Sequence, residues 1–257
     1  MMKLLIKHGA DPNYPCEEAI TGTPLQATLK AYEAENPHVE EMVDYLMAND
    51  ADVTAQGVLF GFPINAAALK GTPTLISRLL DNGAKIEVMD HMGRAPIHVA
   101  GFHGIEIFQA VVDLSGEIGR RDEMGRTALH WASQPGRSQV VKMIMSSTAG
   151  RKFVDEPDID GWTPLCWVVR GTDSLPNEGM AGEPQDQIKV VRLLLENGAD
   201  RCILVSAAGE RWSSLKIAHF SGQSADVIHL LKHGLASRNA SKEQSAATLQ
   251  RNLMKEI

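Results

Sequence analysis

The sequence predicts an all-α solenoid of stacked helix-turn-helix units joined by hairpin-like turns, and three observations predict it. A start signal, Asp158-Ile159-Asp160-Gly161-Trp162-Thr163-Pro164-Leu165, and a stop signal, Val190-Val191-Arg192-Leu193-Leu194-Leu195-Glu196-Asn197-Gly198-Ala199-Asp200, recur in weaker copies along almost the whole 257-residue chain. Positions equivalent to Pro164 fall at 24, 63, 96, 128, 164 and 214, so the unit repeats at spacings of 39, 33, 32, 36 and 50. Aromatic residues make up only 5% of the chain, which suits short packed helices rather than a sheet sandwich. A recurring unit of this size settles the architecture before any residue is weighed for chemistry.

Each half of the unit has its own physical logic. Thr163 can accept the first free helical N–H groups, and Pro164 stands where a helix needs no donor. Val190, Val191, Leu193, Leu194 and Leu195 then form the apolar face of a second helix, which Gly198 ends in the left-handed conformation. One such unit cannot bury its apolar face without neighbours.

These residues resemble the ankyrin repeat, whose consensus of about 33 residues carries a T-P-L-H-x-A signature. Starts stand at Thr23-Pro24-Leu25-Gln26-Ala27, Phe62-Pro63-Ile64-Asn65-Ala66, Ala95-Pro96-Ile97-His98-Val99-Ala100, Thr127-Ala128-Leu129-His130-Trp131-Ala132, Thr163-Pro164-Leu165-Cys166-Trp167 and, degenerate, Ser213-Ser214-Leu215-Lys216-Ile217-Ala218. Stops stand at His8-Gly9-Ala10-Asp11, Asn49-Asp50-Ala51-Asp52, Asn82-Gly83-Ala84-Lys85, Ser115-Gly116, Asn197-Gly198-Ala199-Asp200 and His233-Gly234-Leu235. The resemblance implies about six repeats after an N-terminal half repeat.

The half repeat covers 1–13, and the units follow at about 18–52, 57–87, 90–121, 122–157, 158–201 and 208–235. Leu4, Leu5 and Ile6 lack a first helix to cover them, so the array is expected to be cut from a longer one and to expose an apolar patch open to self-association. The fifth unit lacks a clear stop, which predicts an irregular loop over 146–157. Inserts are expected at Glu33 to His38 and at Thr172 to Gln187; the second is acidic, with Asp173, Glu178, Glu183 and Asp186 and no Lys or Arg. It reads as a tolerated surface insertion or a partner contact. Residues 236–257 form a polar tail in which Leu249, Leu253 and Ile257 at helical spacing suggest a capping helix.

A net charge of −7 and a pI near 5.7 supply no field for phosphate backbones, so nucleic acid is not expected as a partner. Cys16, Cys166 and Cys202 are too few and scattered for a disulfide framework or metal site, as in a reduced compartment. No stretch reads as a signal peptide or membrane span, which predicts an intracellular, cytoplasmic protein without a membrane partner. The sequon Asn239-Ala240-Ser241 is then expected to be unused.

Catalytic chemistry finds no candidates. His98 and His130 fill the signature position, which in ankyrin proteins has a structural, hydrogen-bonding role, and Cys166 takes the same place in its unit. Glu156-Pro157-Asp158-Ile159-Asp160-Gly161 fails as a calcium loop because Trp167 stands where a bidentate glutamate is needed. No nucleophile-elbow, phosphate-loop, dinucleotide or zinc-helix motif occurs. The reading is therefore that the chain is not an enzyme and holds no cofactor or metal.

What the resemblance implies instead is a scaffold or adaptor that docks a protein of unknown identity on the concave side, formed by the turn tips and the first helices. The alternatives are a regulatory or targeting module of a larger multidomain enzyme or signalling receptor, and direct small-molecule binding. Mapping the units places Leu59, Phe60, Met92, Arg94, Met124, Arg126, Trp162 and Trp212 at tips, and Leu69, Lys70, Phe102, His103, Gln134, Arg170 and Phe220 at the ends of first helices. Trp, Phe, Met and Arg are the types enriched in interface cores. The expected partner-binding set is Trp162, Arg126, Met124, Arg94, Met92, Phe102, His103, Arg170, Leu59 and Trp212, with Trp162 as the anchor. Trp131 and Trp167, which follow the signature histidine position, are expected in the repeat core instead.

Overall fold

The computed structural model describes residues 1–15, 22–31, 37–57, 61–115, 117–171, 184–207 and 209–235. First helices form one row: α2 (Pro24–Lys30), α4 (Pro63–Lys70), α6 (Pro96–His103), α8 (Ala128–Ser133), α11 (Pro164–Arg170) and α13 (Ser214–Phe220), each packed on the next. Second helices form the other: α3 (Pro37–Met47), α5 (Pro73–Asp81), α7 (Ile105–Ser115), α9 (Ser138–Ser146), α12 (Pro184–Glu196) and α14 (Ala225–His233). Leu25, Leu29, Ile64, Leu75, Leu79, Phe108, Leu129, Ile144, Leu165 and Leu194 are buried in a continuous ribbon along the two rows.

The start and stop signals act as hydrogen-bonding devices. Thr23, Thr163 and Ser213 accept the N–H three residues on, from Gln26, Cys166 and Lys216. At the stops, Ala10, Ala51, Ala84 and Ala199 donate back to Leu5, Leu46, Leu79 and Leu194, each at 3.0 Å. These bonds close the last helical turn around a left-handed residue. That residue is Gly9, Gly83 or Gly198, and in the second unit Asp50 adopts it with φ 62°.

At Gln26, Asn65, His98 and His130 the signature side chain bonds backbone carbonyls 22 to 35 residues further along. Gln26 Nε2 donates to the carbonyls of Ala55 and Gly61 (both 3.0 Å), and Asn65 Nδ2 to that of Arg94 (3.1 Å). His98 Nδ1 accepts the N–H of Ala95 while Nε2 meets the carbonyl of Arg120 at 2.9 Å. His130 Nδ1 accepts the N–H of Thr127 while Nε2 meets the carbonyl of Trp162 at 3.2 Å. Burial holds both imidazoles below the usual histidine range, and lowers His130 to about 4.

Four local expectations are corrected. Residues 148–151 are not irregular: Ser147 caps a short helix, α10 (Thr148–Arg151), by accepting the N–H of Gly150 at 2.9 Å. Helix α3 already starts at Pro37, inside the first expected insert, because proline is tolerated in a first helical turn. Helix α12 likewise starts at Pro184, so 184–187 are helical. The seventh unit opens with a true hairpin, β1 (Leu204–Ala207) against β2 (Glu210–Ser213), turning at Gly209 with φ 78°. The acidic stretch 172–183, the suggested capping helix and the sequon lie outside the described residues.

Helix α1 (Met2–Lys7) buries none of its residues fully. Leu4 and Leu5 are 55% and 53% exposed, while Met2 and Ile6 rest on the core. Lys3 pairs with Glu41, and the Tyr45 hydroxyl donates to the Lys3 carbonyl at 3.2 Å.

Candidate docking pocket at the turn tips

Three successive tips share an Asp-x-x-Gly sequence, at Asp90–Gly93, Asp122–Gly125 and Asp158–Gly161. The aspartate folds its own turn. Asp90 Oδ1 accepts the N–H groups of Met92 and Arg94 (both 2.9 Å), Asp122 Oδ1 that of Arg126 (2.8 Å), and Asp158 Oδ1 those of Asp160 (3.0 Å) and Trp162 (2.8 Å). The glycine makes the left-handed step, at φ 68°, 73° and 81°. Adjacent tips are then bonded to each other, Glu123 N–H to the Met92 carbonyl (3.1 Å) and Ile159 N–H to that of Met124 (2.9 Å).

The second carboxylate oxygen differs from tip to tip. Asp90 Oδ2 takes Arg94 Nε at 2.6 Å; Asp122 Oδ2 takes Arg126 Nε at 2.9 Å and the Trp131 indole N–H at 3.0 Å. Asp158 has Trp162 where the other tips have arginine, and its Oδ2 takes the Trp167 indole N–H at 2.9 Å. Burial raises the Asp158 carboxyl above the ordinary aspartate value, against hydrogen bonds from Trp162 and Trp167 that lower it.

These side chains interleave into a ladder of cations and rings. The Arg126 guanidinium lies 4.5 Å from the Trp131 ring centroid and 5.7 Å from that of Trp167; Arg94 lies 5.9 Å from Trp131. Arg170 lies 5.4 Å from Trp162 and 5.2 Å from Trp167, whose rings are 5.8 Å apart and tilted by 52°. Contacts within about 6 Å of a ring are attractive and restrain the guanidinium. Met124, Arg126, Asp158, Asp160, Trp162, Trp167, Arg170 and Ser206 line an open pocket of about 290 Å³.

Four of the residues expected to bind a partner, Met124, Arg126, Trp162 and Arg170, thus come together around one pocket. Arg94 and the exposed Met92 extend the same ridge one unit away. Phe102 is corrected: it is 7% exposed, because the next unit brings Trp131 against its ring at 6.2 Å, edge to face. His103 stands apart from that pocket. It lines a separate polar cavity of about 350 Å³ with Arg137, Ser138, Asp186 and Lys189, at the turns joining first and second helices, and burial followed by the Arg137 charge lowers its pKa. Trp212 lies apart on β2, with Phe220 edge-on at 5.2 Å and the Lys216 ammonium 4.4 Å from its ring. Leu59 lies outside the described residues.

Trp131 and Trp167 overturn the expectation of core packing: both are half-buried, with their indole N–H groups spent on the turn aspartates. An aspartate nine residues before a tryptophan, at 122/131 and 158/167, is the sequence signal that could have revealed them. Cys166 is buried, its thiol raised by burial and accepting a hydrogen bond from the Thr163 hydroxyl at 3.5 Å. Among the described residues no cluster of three or more His, Cys, Asp or Glu could hold a metal ion, and no helix is long and apolar enough to cross a membrane.

Residues 64–152 match the family model for ankyrin repeats in three copies. Those residues are ankyrin repeats. Ankyrin repeats generally mediate protein–protein interaction, and an ankyrin repeat domain-containing protein is among the similar proteins. The chain is 32% identical over 165 residues to a palmitoyltransferase of Lachancea kluyveri, a match covering 62% of this chain and 20% of that protein. It is 27% identical over 186 residues to an ankyrin repeat domain-containing protein of Stachybotrys chartarum, covering 70% and 9%. It is 26% identical over 196 residues to the NF-kappa-B inhibitor zeta of Bos taurus, covering 72% and 27%. The chain thus spans about a quarter or less of the length of these relatives. The palmitoyltransferase corrects the exclusion of enzymes made from the sequence: absence of catalytic motifs from this chain does not exclude an enzyme, since a fifth of one enzyme's length is similar to it.

Proposed function

We propose that this ankyrin array docks a partner protein on the surface formed by its turn tips and first helices, with Trp162 as the central anchor. The observation that carries the reading is the pocket that gathers Met124, Arg126, Trp162 and Arg170 from two adjacent units, with Ser206 on its rim. Anchors of binding energy are characteristically Trp, Tyr and Arg in pockets whose neighbours exclude water. Preorganisation by the cation–ring ladder reduces the side-chain entropy lost on docking.

A second reading, favoured by the length of the relatives, is that the array regulates or targets a larger multidomain protein, an enzyme among the candidates. In that case the same surface holds a substrate or regulator for a domain elsewhere.

The test is a partner captured from an extract, with affinities measured by calorimetry. Truncating an anchor commonly costs about 2 kcal/mol, so Trp162→Ala is expected to bind roughly thirtyfold more weakly with an unchanged circular dichroism spectrum. Glu178→Ala, in the acidic insert, is expected to change little. Parent-like binding by Trp162→Ala together with a loss in Glu178→Ala would move the site to the acidic insert.

A further inference from the structure

We propose that the partner presents an acidic side chain, aspartate or glutamate on a polypeptide, to the guanidinium of Arg170; the proposal rests on the reading of the Trp162 pocket as the docking site. Two guanidiniums border the pocket, and among the described residues only that of Arg126 pairs with a carboxylate. Arg126 gives its Nε to Asp122 at 2.9 Å. Arg170 has no carboxylate partner among the described residues and is held only by the rings of Trp162 and Trp167.

A guanidinium stacked on an indole loses none of its N–H donors, because all five lie in its plane and point away from its faces. Its edge therefore remains a fork shaped for a carboxylate, on a group already held near two rings. The pocket's own acids do not fill it. Asp158 turns both oxygens to N–H groups of its own unit, at Asp160, Trp162 and Trp167. Asp160 is exposed at the tip, where water and salt screen it. Trp162, Trp167 and Met124 contribute apolar wall to the pocket, and a pair formed against them is screened less than one at an exposed tip.

A random peptide library displayed on phage provides the probe. Peptides selected on the parent protein are expected to carry Asp or Glu at one fixed position and to lose binding to Trp162→Ala. Changing that acid to its amide should weaken binding to the parent about tenfold or more, as for a hydrogen-bonded charge, yet less than twofold to Arg170→Gln. Reselection on Arg170→Glu should return Lys or Arg at the same position, and circular dichroism should show each variant folded like the parent. Peptides that need Trp162 but carry no fixed acid would overturn this proposal and leave the pocket standing, as would an acid equally important to Arg170→Gln. If no captured peptide depends on Trp162, the docking pocket itself is refuted and the acidic partner with it.

Discussion

Trp167 donates its indole N–H to the Asp158 carboxylate at 2.9 Å, repeating the bond from Trp131 to Asp122 one unit earlier, but without the arginine that accompanies Asp122. The Asp158 carboxylate, and with it the position of Trp162, thus rests on one ring nitrogen and two backbone N–H groups rather than on an ion pair. Trp167→Phe keeps most of the packing and removes that donor. The expected loss is about 1–2 kcal/mol in urea unfolding, the worth of a hydrogen bond to a charged group at a half-buried site. Stability equal to the parent would show the bond to be dispensable.

Histidine 130 sets a pH dependence. Its folded pKa is lowered to about 4, mainly by burial, from 6.5 for the free side chain, so the unfolded chain takes up the proton first. Stability from the neutral imidazole is complete above about pH 6.5 and is lost progressively down to about pH 4, a loss of about 3 kcal/mol. Gln26 makes the same two kinds of bond in its own unit, accepting from Thr23 N–H at 3.0 Å and donating to Gly61 at 3.0 Å. His130→Gln should therefore fold at pH 7.5 and show a smaller fall in stability at pH 4.5 than the parent. An unchanged fall would place the acid sensitivity elsewhere.

Two tip glycines separate backbone strain from collision. A Cβ at Gly161, where φ is 81°, would meet nothing within 4 Å, so Gly161→Ala should cost about 1–2 kcal/mol from left-handed strain alone. A Cβ at Gly93, where φ is 68°, would lie 2.7 Å from the Glu123 nitrogen that bonds the adjacent tip. Gly93→Ala should lower the melting temperature distinctly more than Gly161→Ala. Equal shifts would mean that the tip-to-tip bond yields without penalty.

Helix α1, with no fully buried residue, should exchange its amide hydrogens faster than α6 and α8, whose side chains are largely sealed. The exposed Leu4 and Leu5 supply a face for self-association, so Leu4→Lys should reduce any dimer seen by sedimentation. Protection of α1 equal to that of α6 in a strictly monomeric protein would contradict both expectations.

Much of the repeat was legible because its signals are local: Thr163 and Pro164 start a helix, Gly198 and Ala199 close one, and these bonds span five residues or fewer. The role of His98 and His130 was legible for the same reason, since half of it is a bond to the residue three positions before. The short helix at Thr148–Arg151 was missed because Ser147 caps it without the Thr-Pro pair that marks the other starts.

By itself the sequence determined the stacked helical units and the tip character of Met124, Arg126 and Trp162, because propensity, capping and apolar period act over a few residues. Only the tertiary structure decided which of them share a pocket. Trp162 and Trp167 are close in sequence, but the Arg126 guanidinium reaches Trp167 across 41 positions, and the stacking of α8 on α11 makes that approach. The same stacking sealed Phe102 under Trp131 and left Arg170 without a carboxylate among the described residues. Burial and charge pairing between units depend on distances that no local pattern encodes.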